Sequence, residues 1–283
     1  MANPVFNNSA VFGQKANRDV QRTQNQMDNS FGQAHTAGTA SIDAISMEQM
    51  YNAPAATTAD TGRMTYDDVI MKTGGLFVLL VATAVVTWQF FPQAALVGMI
   101  VGLVLGLVNS FKKEPSPVLI MAYTVAEGVF LGGISHMFEN YGFNGQPLNG
   151  IVFQAVLATL SVFAVTLFLF KSGKVRVTPK FTRFLLIGIA GYAIFSLLNL
   201  VLTWTGVLDG WGMRSGGMGI VIGLIAVGLA SMALIQDFDM AATGVRNGIP
   251  KKYAWSAAFG LMVTLIWLYV EILRILAILR GDD

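Results

Sequence analysis

From residue 74 onward the chain alternates long apolar runs with short polar breaks, and the runs are near or above the length that crosses a hydrocarbon core of about 30 Å. Seven such runs fit, at residues 74–91, 93–111, 117–138, 150–170, 181–204, 218–240 and 253–279, the last being the longest. They are continuously apolar, whereas barrel strands alternate over about ten residues, so the pattern predicts membrane-spanning α-helices and excludes a β-barrel. Upstream, residues 1–63 are rich in Asn, Gln, Ala, Ser, Thr and Met with no helical or strand period. Such a composition buries too little apolar surface to offset chain entropy, and a disordered polar tail is expected there. No apolar stretch follows a basic start, so the tail does not read as a signal peptide. Between tail and first run, residues 64–72 (MTYDDVIMK) place Tyr66, Val69 and Ile70 near one side and Asp67, Asp68 and Lys72 elsewhere. This predicts a short amphipathic lead-in helix on the membrane surface. The domain plan is therefore a tail over 1–63 and a seven-span all-α membrane domain over 64–283.

Composition agrees with that class. Apolar residues fill 54% of the 283 positions and charged residues 12%, the reverse of a soluble domain. A net charge of +2 gives no footprint for nucleic acid. The sequence has no cysteine, which removes disulfides, thiolate nucleophiles and cysteine-held metals. Its two histidines, His35 and His136, fall in the tail and at the end of an apolar run, so a zinc site built on several histidines is not expected.

Charge between the runs changes the picture by giving it a direction. Lys112 and Lys113 follow the second run, Lys171, Lys174, Arg176, Lys180 and Arg183 border the fourth and fifth, and Arg246, Lys251 and Lys252 follow the sixth. The alternate connections carry one basic residue, Arg214. Because cytoplasmic loops hold the Lys and Arg excess, the N-terminus is expected in the cytoplasm and the C-terminus outside. Trp88, Trp204 and Trp211 then fall at the outer interface and Trp255 at the inner one.

Two sets of residues stand out inside the runs. Gly98, Gly102 and Gly106 recur every four residues, as do the pairs Gly128 and Gly132, and Gly219 and Gly223, which bares one helix face for close approach. In a seven-span chain this predicts packing within one bundle in preference to a dimer seam. The second set is ionisable: Glu127 in the third run, Asp237 and Asp239 at the end of the sixth, and Glu271 with Arg274 in the seventh. A charge at membrane depth costs at least about 2.5 kcal/mol and faces a partner or a water-filled cavity. Asp237 and Asp239 also read as solvated carboxylates at a helix end. Arg274 follows Glu271 by three positions, so the two share a helix face and can neutralise one another. By helical rise, Glu127 and Glu271 reach comparable depths from opposite sides, which permits a midplane cluster of Glu127, Glu271 and Arg274 with a proton-sensitive pair of acids.

Catalytic patterns fail. There is no HExxH, no GxGD around any acid, and no lysine after Lys252 to hold a retinal. Ser135 and His136 are adjacent, so on a helix they point about 100° apart and cannot pair as nucleophile and base. No enzymatic activity and no cofactor are expected.

EGVFLGGIS in the third run, DFD in the sixth and LYVEILRILAILR as the closing helix resemble the Bax inhibitor family. The longer string QDFDMAATGVRNGIPKKYAWSAAFGLMVTLIWLYVEILRIL is similar to its bacterial branch with an extended polar N-terminus, and the likeness runs over about 64–280. The resemblance implies a seven-helix bundle with the last helix enclosed by the others, a plasma-membrane location, and a pH-sensitive leak for Ca²⁺. It also implies a carboxylate dyad between the sixth and seventh helices, with protons and Ca²⁺ as its ligands. Asp237 matches the sixth-helix position best, Asp239 is the alternative, and Glu271 matches the seventh. Hard carboxylate oxygens suit transient Ca²⁺. Here the seventh-helix acid is Glu instead of Asp, and the interval between the acids is longer. On straight helices Glu271 lies about 15 Å deeper than Asp237. A dyad therefore requires a break near Gly248, Pro250 or Gly260, and a regular connection favours Glu127 with Glu271 instead. A second reading of the whole chain is a non-transporting membrane protein that binds and regulates a membrane-protein partner.

Overall fold

The computed structural model describes residues 62–142, 146–208 and 212–281. The tail expected over 1–63 lies outside the described residues apart from Gly62 and Arg63, and so does Trp211. Seven long helices appear among the described residues, each long and apolar enough to cross a membrane. They are α1 (Tyr66–Phe90), α2 (Ala95–Phe111), α3 (Pro117–Asn140), α4 (Ile151–Lys171), α5 (Pro179–Trp204), α6 (Gly216–Arg246) and α7 (Ala254–Leu279). Short 3₁₀ turns precede α2, α6 and α7.

The helix starts follow local chemistry. Thr65 caps α1 by accepting the Asp68 N–H at 3.1 Å, while Asp68 accepts the Thr65 N–H at 3.2 Å, a reciprocal capping box. Proline occupies the first position of α3 and α5, where its missing N–H costs nothing. The separate lead-in helix expected over 64–72 is not formed. Once the box at Thr65 starts the helix, nothing in the following sequence stops it, and Tyr66 runs unbroken to Phe90. Its first turn is docked on the α6–α7 connection: the Met64 N–H donates to Ile249 O at 2.8 Å, the Lys251 N–H to Gly62 O at 2.8 Å, and Lys251 Nζ lies 3.0 Å from Asp68.

α7 is the centre of the bundle. It packs on α6, α1, α4 and α3, and 72% of its apolar window is buried, against 11% for the second and fifth spans. The enclosed last helix that the family resemblance implies is thus observed. The large apolar side chains left exposed on the outer helices, such as Phe184, Ile187 and Leu197 on α5, need an apolar solvent, and a bilayer is the one that a multi-pass chain meets.

The longest helix is α6 with 31 residues, not the seventh with 26. The apolar run reads as ending at Met240 because Asp237 and Asp239 interrupt it, yet the helix continues to Arg246. Asp237 has a partner inside the bundle, so its polarity does not end the helix. The α6–α7 turn is tight: Gly248 takes φ +61°, and α7 then runs straight through Gly260. None of the anticipated break points interrupts a helix.

The glycine stripes serve packing within the chain. A Cβ at Gly98 would lie 2.6 Å from Phe130 N, and one at Gly106 would lie 3.3 Å from the Tyr123 ring, both across the α2–α3 seam. Gly128 and Gly132 abut Leu80, Thr83, Ala84 and Thr87 of α1, and Gly219 and Gly223 abut the α5–α6 connection and Ile275 and Ile278 of α7.

The α2–α3 and α6–α7 connections share one end of the bundle, where Lys252 Nζ meets Glu114 at 2.9 Å. With the α4–α5 connection, this end carries the excess of Lys and Arg and is here called the basic face. The opposite end joins the C-terminus to the α3–α4 connection, through Arg280 Nη1 donating to Asn149 O at 2.8 Å and Nη2 to Gln154 Oε1 at 2.9 Å.

Candidate functional site

Two separate polar centres lie along α7. The larger one, in the half opposite the basic face, is built on Glu271, which is 2% exposed. Arg274, one turn further along the same helix and also 2% exposed, donates from Nη2 to Glu271 Oε2 at 2.6 Å. Arg214 donates from Nη2 to Glu271 Oε1 at 2.5 Å and to the Tyr192 hydroxyl at 2.6 Å. Tyr192 of α5 in turn donates its hydroxyl proton to Glu271 Oε1. Arg274 Nη1 holds the carbonyls of Arg214 at 3.0 Å and Gly219 at 3.2 Å. Glu271 is thus gripped by two guanidiniums and a phenol, and the node keeps one positive charge in excess.

How Arg214 gets there is a matter of backbone. Residues 212–215, ahead of α6, turn back beside α5 and α7. Asn199, five residues before the end of α5, accepts the Met213 N–H at 2.7 Å, and Tyr192 lies about 18 Å below that end by helical rise. Backbone groups of this stretch find partners in the bundle, the Met213 N–H on Asn199 and the Arg214 carbonyl on Arg274 Nη1 at 3.0 Å, as irregular backbone inside a membrane protein requires. Gly212 is required: it takes φ +61°, and a Cβ there would meet Asn199 Oδ1 at 2.6 Å. Neither Arg214's role nor those of Tyr192 and Asn199 was anticipated. The available signal was that Arg214 is the sole basic residue in the connections opposite the basic face.

The smaller centre is Asp237 on α6, 8% exposed. Its Oδ2 accepts from Thr264 Oγ1 of α7 at 2.7 Å, and its Oδ1 sits 3.2 Å from where a Cβ on Gly260 would stand. Gly260 and Thr264 are one turn apart, so α7 offers a small-residue notch with a hydroxyl that fits one carboxylate. Asp237 is nine residues before the end of α6, about 13 Å inside it, and is not a solvated helix-end carboxylate. Asp239 is the more open of the two: its side chain is 33% exposed and stands 4.0 Å from Arg246. Among the described residues, Asp237 forms no ion pair.

The anticipated pairings are therefore corrected. Asp237 and Glu271 do not form a dyad, because Asp237 contacts α7 at Thr264, seven residues and about 10 Å short of Glu271. The regular α6–α7 turn preserves the depth difference instead of closing it. Glu127 does not join Glu271 and Arg274 either. α3 and α7 run parallel, with Tyr123 edge-on to Phe259 and Ser135 bonded to Tyr269 at 2.6 Å. Those contacts put Glu127 near the level of Thr264, about two turns from Glu271. Its carboxylate bonds Tyr123 and occupies the space that Gly102 leaves on α2. The pairing of Glu271 with Arg274 on one helix face is as expected from their spacing. The Ser135 hydroxyl is engaged by Tyr269, not by His136, whose ring lies against Trp88 and Tyr141.

An all-α multi-pass membrane protein, with its last helix enclosed and ionisable groups placed along it, is the class that fold and site define. The chain matches the family model described as "Bax inhibitor 1 like" over residues 3–281 and belongs to that family. No curated protein matches the chain.

Proposed function

We propose that this protein is a pH-sensitive cation leak of the plasma membrane, carrying Ca²⁺, with its basic face in the cytoplasm and its C-terminus outside. The observation that carries the reading is the contrast between the two centres: Glu271 is held by two arginines, whereas Asp237 faces α7 with a hydroxyl and no cation partner among the described residues. A carboxylate at membrane depth without a cation is costly unless it takes a proton or a cation. Asp237 is therefore the exchangeable site, where H⁺ and Ca²⁺ compete for the same oxygens. Its carboxylate and the Thr264 hydroxyl supply only part of the six to eight oxygens that Ca²⁺ takes, so the ion there keeps most of its water and passes through.

Glu271 is the gate in this reading. Arg214 ties the start of α6 to α7, and the excess positive charge of the node opposes a cation on the same path. Release of Arg214 from Glu271 opens the half opposite the basic face. Asp239, Glu127 and Arg274 are auxiliary, Arg274 because it fixes the Glu271 rotamer. No catalytic step and no bound cofactor belong to the proposal.

The full-length protein, reconstituted in liposomes loaded with a calcium dye, is expected to admit Ca²⁺ faster than protein-free liposomes. A flux equal to that of empty liposomes contradicts the leak and leaves the regulatory reading, in which the buried ions only hold helices together for a membrane-protein partner.

A further inference from the structure

We propose that the slot between α1 and α4 is a lipid site, holding one acyl chain of a phospholipid from the leaflet opposite the basic face. α1 and α4 both pack on α3 and α7 and scarcely on each other. The gap between them is a cavity of about 490 Å³ that opens sideways toward the membrane, within the range of about 300 to 1,000 Å³ usual for ligand sites. Leu80, Ala84 and Trp88 form one wall, Val156 the other, and Gly132 and Tyr269 lie at the floor.

Its dimensions and polarity identify the occupant. Along α1 the lining runs from Phe77, near the middle of the helix, to Gln89, next to its last residue. That span of twelve residues is about 18 Å by helical rise, close to one leaflet of a core about 30 Å thick. Two polar lining groups, the Trp88 indole and the Gln89 amide, sit at the rim, where a headgroup lies and where Trp is favoured. Deeper polar groups are already satisfied: Ser135 and Tyr269 bond each other at 2.6 Å, and Thr159 donates to Ala155 O at 2.7 Å. Nothing in the depth of the slot asks for water, which needs two to four polar partners. The site takes hydrocarbon below and a polar head above. Its concave shape, recessed between two helices, disfavours the flat apolar face of a second copy.

The floor gives the site a consequence. Leu265, Ile266 and Tyr269 line it, and they belong to the stretch of α7 between Thr264, which holds Asp237, and Glu271. A chain in the slot packs against the helix that carries both polar centres.

The test uses the full-length protein in phosphatidylcholine liposomes doped with a phosphatidylcholine bearing a diazirine midway along one acyl chain. After irradiation, labelled residues are mapped by peptide mass spectrometry. Labelling is expected to concentrate on the slot walls and to fall to the level of the general lipid-facing surface in Val156→Trp and in Leu160→Trp. Both variants fill the slot from half-exposed wall positions. Val97→Trp, on the exposed face of α2, is expected to leave it unchanged. Slot labelling no higher than that of the α2 and α5 lipid faces, or unaltered by both filling variants, overturns the proposal. So does slot labelling that appears only on dilution into excess lipid, because a second copy then occupies the slot. The readout is independent of ion flux, so it stands or falls apart from the leak.

Discussion

Glu271→Ala is expected to destabilise the fold by about 3 to 5 kcal/mol, the largest effect of any single substitution considered, because it leaves two guanidiniums facing each other with no carboxylate between them. Arg274 cannot reach water, being 2% exposed, and Arg214 is tied to it through its own carbonyl. The loss is read as a drop in the midpoint of thermal unfolding of the detergent-solubilised protein. Glu271→Gln keeps the volume and an acceptor for Tyr192 but not the charge, and falls between. Removing the Glu271–Arg274 pair together, in Glu271→Gln with Arg274→Met, is expected to recover part of the loss, because the unpaired charge of the fully buried Arg274 costs more than the missing contact, while Arg214 is left uncompensated. Equal stability of Glu271→Ala and wild type contradicts the buried node.

The second large effect is expected at Gly98→Val. A Cβ there would stand 2.6 Å from Phe130 N and 2.7 Å from Ala126 O, backbone atoms of α3 that cannot swing aside. Overpacking costs about 1 to 3 kcal/mol where side chains can adjust, and backbone contact places this site at or above the top of that range. Thermal unfolding of the monomer measures it. A stripe that served a dimer would leave the monomer's unfolding unchanged and lower only the dimer fraction.

The spans were legible because hydrophobic length is a local property. A window over residues 150–170 or 181–204 sees most of what makes α4 and α5, and those boundaries agree with the helices to within two residues. Where a polar residue is satisfied from far away, the same reasoning misplaced the end. Asp237 read as the edge of a span because its partner, Thr264, is 27 residues further on and belongs to another helix. For the same reason Glu271 and Arg274 were legible as a pair at i and i+3, while Arg214, 57 residues earlier in an irregular connection, was not. The glycine stripes were legible as bare faces, and their use at Gly102, which makes room for the Glu127 carboxylate, was not. The regular α6–α7 turn settled the depth of the two acids in favour of separation, because Gly248 and the 3₁₀ turn at Lys251–Tyr253 reverse the chain at the membrane surface without consuming either helix.

Separation divides the roles in the proposed leak, in which Asp237 exchanges ligands while Glu271 is held by two arginines. The measurement that tests this most directly is Ca²⁺ entry into dye-loaded liposomes between about pH 5 and 8, a range within reach of a buried carboxylate, for wild type and Asp237→Asn side by side. The account predicts that wild-type flux varies with pH and that Asp237→Asn removes that variation while the protein remains folded. A pH profile of Asp237→Asn that superimposes on wild type contradicts it.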